Sequence, residues 1–155
     1  MIRTYRNFIT EEECNELVSF FKTHKELVFP ILNDNLYHYF GINIVERIQE
    51  FSFTRRVLKY NNVSTLRIQH VNNQVEVVEK PHGHLLPYSF VIFLNDNFEG
   101  GELVFDNITI KPRKRQLAYF TGDETHCINP VLSGDRYTLV AFLTSDIPIY
   151  ESKLI

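Results

Sequence analysis

Two hydrophobic periods succeed each other along this chain, and the change falls near Asn61. Before it, apolar positions repeat at helical spacing. Leu17, Phe20 and Phe21 share a face with Cys14, as the 3.6-residue period of an α-helix requires. Thr10 is a capping residue and Glu13 follows three positions later, the arrangement of a capping box. The predicted helix runs from about Glu11 to about Lys25, with Phe8 and Ile9 placed to staple its start to the core. Ile44, Val45 and Ile48 mark a second helix from about Ile42 to Phe51. Between the two, Val28 to Asn33 reads as extended around Pro30, and Asn33-Asp34-Asn35 is turn chemistry. Arg55 to Lys59 fits either a continuation of the helix or a new strand.

After Asn61-Asn62 the period becomes two. Over Val63 to Val71, Leu66, Ile68 and His70 fall on one face of a strand and Thr65, Arg67 and Gln69 on the other. Asn72-Asn73 is a turn, and Gln74 to Glu79 alternates again. Short strands are then predicted over Tyr88 to Asn95, Glu102 to Phe105, Ile108 to Lys111, Gln116 to Thr121, Cys127 to Leu132 and Tyr137 to Thr144. Asn, Asp, Gly and Pro separate them. The stretch Tyr88 to Leu94 is almost continuously apolar, which places it centrally. Many short strands with such breaks indicate a sandwich or jelly roll. Helices first and strands after make the class α+β.

At 155 residues the chain has the length of one domain, spanning 1–155. Its 13 Phe and 8 Tyr suit β-rich packing. A net charge of -3 gives no broad basic field for non-specific nucleic-acid binding and leaves only a local cluster at Lys111, Arg113, Lys114 and Arg115. No stretch has the length of a membrane span, and Met1 to Arg6 shows no apolar run after its charges. The expectation is a cytoplasmic protein with two packing thiols, Cys14 and Cys127.

The strand ladder carries the chemistry. His82 and His84 are two apart, so on a strand their side chains point the same way. His126 comes near the far end of the ladder. Imidazole suits iron, zinc, copper and nickel. Two ligands from one strand and a third from a distant one form a facial triangle, which leaves the opposite side of the metal open. The bland alternative is that these histidines are surface or hydrogen-bonded core residues, the reading given to His24 and His38. Arg136 begins a strand with Thr138 on the same face. An arginine inside an apolar barrel needs an anion, and its fork fits a carboxylate, to which Thr138 can add a hydroxyl. An internal salt bridge is the competing explanation.

Taken together these residues resemble a family. His82-x-His84, Phe93-Leu94-Asn95-Asp96, Glu99-Gly100-Gly101-Glu102-Leu103-x-Phe105, Ile110-Lys111-Pro112, Tyr119-Phe120, His126, Pro130-Val131, Gly134 and Arg136-Tyr137 are similar in order and spacing to the iron(II)- and 2-oxoglutarate-dependent dioxygenases of the prolyl 4-hydroxylase branch. The opening Phe8 to Cys14 resembles the start of that domain too. The resemblance implies a double-stranded β-helix with helices packed outside one sheet. It implies one ferrous ion, 2-oxoglutarate and O2 as co-substrates, ascorbate as an optional reductant, and a peptide or protein segment as substrate. It puts His82 and His126 at the metal, and Arg136, seconded by Thr138, on the far carboxylate of 2-oxoglutarate. His70 stands on the strand where many relatives offer a tyrosine hydroxyl to the co-substrate.

The departure is His84, which replaces the family's acidic ligand. Three meanings stay open: a three-histidine metal site, a vacancy filled by another ligand, or a site that binds without catalysing. Asp123 and Glu124 are the nearest carboxylates to His126 in sequence. Rival classes are a cupin-like three-histidine metalloprotein, as a thiol dioxygenase or a sensor, and an inactive dioxygenase fold that docks a partner.

Overall fold

The structure, a computed structural model, describes residues 1–24, 44–54, 62–74, 83 and 88–144. Both helices fall close to their predicted bounds: α1 spans Glu11–His24 and α2 spans Ile44–Thr54. The capping box is formed. Glu13 Oε1 accepts from the Thr10 amide at 2.9 Å, and Thr10 Oγ1 accepts from the Glu13 amide at 3.1 Å. Expectations for Val28 to Asn35, Arg55 to Lys59 and Val75 to Glu79 lie outside the described residues.

The described strands are β1 (Ile2–Tyr5), β2 (Asn62–Asn72), β3 (Tyr88–Phe93), β4 (Glu99–Gly100), β5 (Leu103–Phe105), β6 (Thr109–Ile110), β7 (Leu117–Thr121), β8 (His126–Ile128), β9 (Val131–Ser133) and β10 (Asp135–Thr144). Five of them pair antiparallel in the order β1-β7-β3-β10-β2; β6-β5-β8 and β4-β9 form two smaller pieces. This is the expected double-stranded β-helix, α+β in class, with helices on one face of the larger sheet. The predicted strand Cys127 to Leu132 is two strands in the structure, split at Asn129-Pro130, because proline has no amide to give a ladder. Strand β1 escaped prediction: it is short and mostly exposed.

Alternation gives the large sheet two unlike faces. On the outer face, Phe90 and Ile92 of β3, Leu139 and Leu143 of β10, Leu66 and Ile68 of β2 and Leu117 of β7 bury against Cys14, Leu17 and Phe20 of α1 and Ile44 and Ile48 of α2. Each such side chain taken out of water contributes about 1.5–3 kcal/mol, so this layer holds the domain together. On the inner face, Val91 and Phe93 of β3 and Ala118 and Phe120 of β7 meet Leu103, Phe105 and Ile110 of the smaller sheet.

The basic cluster works as a brace. Lys114 Nζ donates to Asn15 Oδ1 at 2.9 Å, and Arg115 Nε donates to the Ile9 carbonyl at 2.7 Å, tying the turn before β7 to the start of α1.

Candidate active site

Strand β10 is central, and its inward positions are Arg136, Thr138, Val140 and Phe142. Arg136 is 1% exposed, deep in the fold. Its Nε donates to the Gly101 carbonyl at 2.9 Å, and its guanidinium carbon lies 5.7 Å from the Phe93 ring centroid. Two glycines make this seat. Gly100 (φ +78°) and Gly101 (φ +69°) stand in the left-handed region, where the pairing of β4 with β9 shifts register. A Cβ on Gly101 would lie 2.9 Å from Arg136 Cδ, and one on Gly100 would lie 2.1 Å from the Pro130 carbonyl oxygen. The Gly-Gly pair is therefore part of the mould that holds the arginine.

Thr138 is wholly buried, one inward step along β10, and its Oγ1 has no hydrogen-bond partner among the described residues. It pairs with Phe93 on one side and Gln69 on the other. A hydroxyl buried without a partner costs about 1–3 kcal/mol, which a ligand oxygen would relieve. His126 opens β8 across the barrel. Its Nδ1 lies 2.9 Å from the Glu124 carbonyl, which can only accept, so Nδ1 donates, and in the neutral ring this puts the lone pair on Nε2. A main-chain carbonyl on one nitrogen is the usual way a ligating imidazole is oriented. The ring packs edge-on to Phe120 at 4.8 Å.

Arg136, His126, Gln69, Arg67 and Ser89 line one cavity, whose other walls are apolar. No carboxylate lines it among the described residues. It is narrow, about 40 Å³, room for a water or two. The donor set fits a metal with a carboxylate co-ligand; a five-carbon dicarboxylate has to spread the walls to enter.

His82 and His84 lie outside the described residues. Gly83, which separates them, is described: a Cβ on it would lie 3.1 Å from the Gly122 carbonyl oxygen, in the turn that leads from β7 to His126. The main chain between the two histidines therefore runs beside the His126 turn. The acids of that turn do not line the cavity. Glu124 Oε1 contacts the Met1 nitrogen at 2.6 Å, and a hydrogen bond from Thr121 holds the exposed Asp123 carboxyl below its ordinary value.

His70 corrects the expectation placed on it. It pairs with Tyr137, not with Thr138, and so faces the helices. Its ring stacks on Tyr137 at 4.6 Å, meets Phe21 of α1 edge-on, and puts Nε2 2.8 Å from Asp135 Oδ1. The residue of β2 beside Thr138 on the inner face is Gln69. The alternation in the sequence had already separated Gln69 and Arg67 from His70; which face turned inward was not marked, because His70 is the residue with the more familiar chemistry. Ser89 had no signal, since it is the second residue of an otherwise apolar strand.

Residues 57–144, more than half of the chain, match the sequence profile of the 2OG-Fe(II) oxygenase superfamily. The chain belongs to that superfamily. Prolyl 3-hydroxylase 2 of Rattus norvegicus is 31% identical over 82 residues, 47% of this chain and 12% of that protein. A PKHD-type hydroxylase of Synechococcus sp. (strain CC9605) is 36% identical over 72 residues, 42% of this chain and 32% of that one. The match thus spans a minor part of each relative. Among solved superfamily-like folds, the viral collagen prolyl hydroxylase of Paramecium bursaria Chlorella virus-1 superposes with a TM-score of 0.72 at 15% identity, over 94% of this chain and 90% of that one. At that identity the likeness concerns the fold.

Proposed function

We propose that this chain is an iron(II)- and 2-oxoglutarate-dependent oxygenase that hydroxylates an unactivated C–H bond, with a prolyl-type residue of a peptide as the preferred substrate class. The observation that carries the reading is the inner face of β10: the buried Arg136 lines a cavity with the oriented His126, and one inward step along the strand stands the buried Thr138 hydroxyl, which has no hydrogen-bond partner among the described residues. The hydroxylase relatives support the prolyl-type substrate, and the superfamily match favours this reading over a cupin-like metalloprotein.

His126, with His82 and His84, would hold the ferrous ion. Three imidazoles bring no charge, so the dianionic co-substrate would do the neutralising. Arg136 would fork the far carboxylate, and Thr138 would donate its hydroxyl to the same group. Bound iron and 2-oxoglutarate would supply oxygen activation, coupling loss of carbon dioxide and formation of succinate to insertion of one oxygen atom into substrate. The chain's own part is to fix the His126 tautomer through Glu124, keep the guanidinium seated on Gly101, and exclude water with Val91, Phe120 and Phe142.

Anaerobically purified protein, given iron, 2-oxoglutarate, a proline-containing peptide and then oxygen, should form succinate above the peptide-free rate while the peptide gains one oxygen atom. His126→Ala should lose both bound iron and turnover. Succinate at background level, with iron content unchanged by His126→Ala, would refute the proposal; co-substrate binding without turnover would leave an inactive binding fold.

A further inference from the structure

The cavity contains a second polar pair that the co-substrate does not account for. Arg67 and Ser89 line the same space as Arg136 and His126. Arg67 is on β2, across from Val140 of β10, which in turn pairs with Val91 of β3. Ser89 is two residues from Val91 on β3. Both therefore lie on the inner face, on either side of β10 and displaced from Thr138 along the sheet. Ser89 is 1% exposed and its Oγ has no hydrogen-bond partner among the described residues. Arg67 is exposed and makes no hydrogen bond or ion pair among the described residues. The cavity lining thus carries the deep Arg136, the solvent-reached Arg67 and the buried hydroxyl of Ser89, with no acid among the described residues.

Resting on the oxygenase reading above, we infer that Arg67 and Ser89 form a recognition site for a carboxylate on the primary substrate. A dicarboxylate co-substrate spends one carboxylate at the metal and the other at Arg136 and Thr138. Arg67 then faces the incoming molecule with a planar fork of donors, and Ser89 adds one hydroxyl. That set suits a planar monoanion better than a phosphate, which calls for more donors. The carboxylate can come from a glutamate or aspartate beside the hydroxylated residue of a peptide, or from the terminus of a free amino acid. Because Arg67 stands at the rim, its charge sets specificity more than core stability.

Two matched pairs separate the sources: acetyl-Glu-Pro-Gly-amide against acetyl-Gln-Pro-Gly-amide, and L-proline against L-prolinamide. Each is given to the iron-loaded chain with 2-oxoglutarate and oxygen, and product is followed by mass. In one pair or both, the acid should exceed its neutral partner by about tenfold in kcat/KM, chiefly through KM. Arg67→Glu should erase that preference, Arg67→Lys should keep part of it, and the rise in Tm caused by 2-oxoglutarate should persist in both. Equal use of acid and neutral partners, or use of none, overturns the inference. So does a loss of 2-oxoglutarate affinity in Arg67→Glu as large as in Arg136→Met, which would assign Arg67 to the co-substrate. If 2-oxoglutarate fails to stabilise the unaltered chain with metal present, the oxygenase reading itself falls, and this inference with it.

Discussion

The two faces of the large sheet are made by the same strands, yet they are built for different ends. Along β10 the residues alternate Arg136, Tyr137, Thr138, Leu139. The odd members join the apolar layer under the helices, and the even ones turn to the inner face, where Arg136 lines the cavity with His126. On β2 the neighbours Gln69 and His70 divide in the same way. On the outer face His70 finds its polar partner within the protein, in Asp135. The inner face buries hydroxyls on Thr138 and Ser89 that have no partner among the described residues. The apolar helix layer lies on one side of the sheet, and the buried hydroxyls of Thr138 and Ser89 lie on the other. Such hydroxyls are tolerated where a ligand will answer them.

Substitutions on the two faces should therefore separate stability from ligand binding. The largest stability effect is expected outside: Leu139→Ala, at a fully buried site, should cost about 2–4 kcal/mol in denaturant unfolding. The 2-oxoglutarate affinity of the folded fraction should stay close to that of the parent. Thr138→Val, one residue away, should do the reverse. It removes a buried hydroxyl without a partner, so the ligand-free protein should gain up to about 1 kcal/mol, while 2-oxoglutarate affinity falls about fivefold by calorimetry. A loss of stability with unchanged affinity would erase the distinction between the faces. His70→Leu should lower Tm by a few degrees and alter co-substrate affinity less than about twofold. A tenfold loss would return His70 to the site.

The smallest effect is electrostatic and lies wholly outside. Burial pushes the Glu13 carboxyl up, but hydrogen bonds from Thr10 and the Arg47 guanidinium outweigh it and hold the group below its ordinary 4.5. A carboxylate depressed by folding adds stability that is complete above pH 4.5 and is lost as pH falls through the lower folded value. Glu13→Gln should therefore cost about 1 kcal/mol at pH 7 and progressively less below pH 4, read as a shallower acid limb of the unfolding profile.

Much of this was legible before any coordinates. The capping box and the Leu17, Phe20 repeat gave α1, and alternation gave the strands. His126, Arg136 and Thr138 came from residue chemistry joined to a family likeness. What alternation cannot say is which of two faces turns inward. In β2 both faces carried a polar side chain able to bind a carboxylate, His70 on one and Gln69 on the other, and only the pairing of His70 with Tyr137 decides. The Gly100-Gly101 motif was visible as a pattern, but its physical reason, the close passage of Arg136 Cδ beneath Gly101, belongs to tertiary structure. Arg67 and Ser89 were hidden differently: an arginine on a strand reads as a solvated side chain until the opposite strand closes the cavity.

If the proposed function holds, the inner face takes a metal and a dicarboxylate together. Thermal unfolding of the anaerobic chain, with iron(II), with 2-oxoglutarate, and with both, tests this most directly. The rise in Tm with both should exceed the sum of the separate rises, and Arg136→Met, whose affinity should drop about 100-fold, should abolish the excess. An equal rise in Arg136→Met, or a 2-oxoglutarate effect indifferent to metal, would contradict the account.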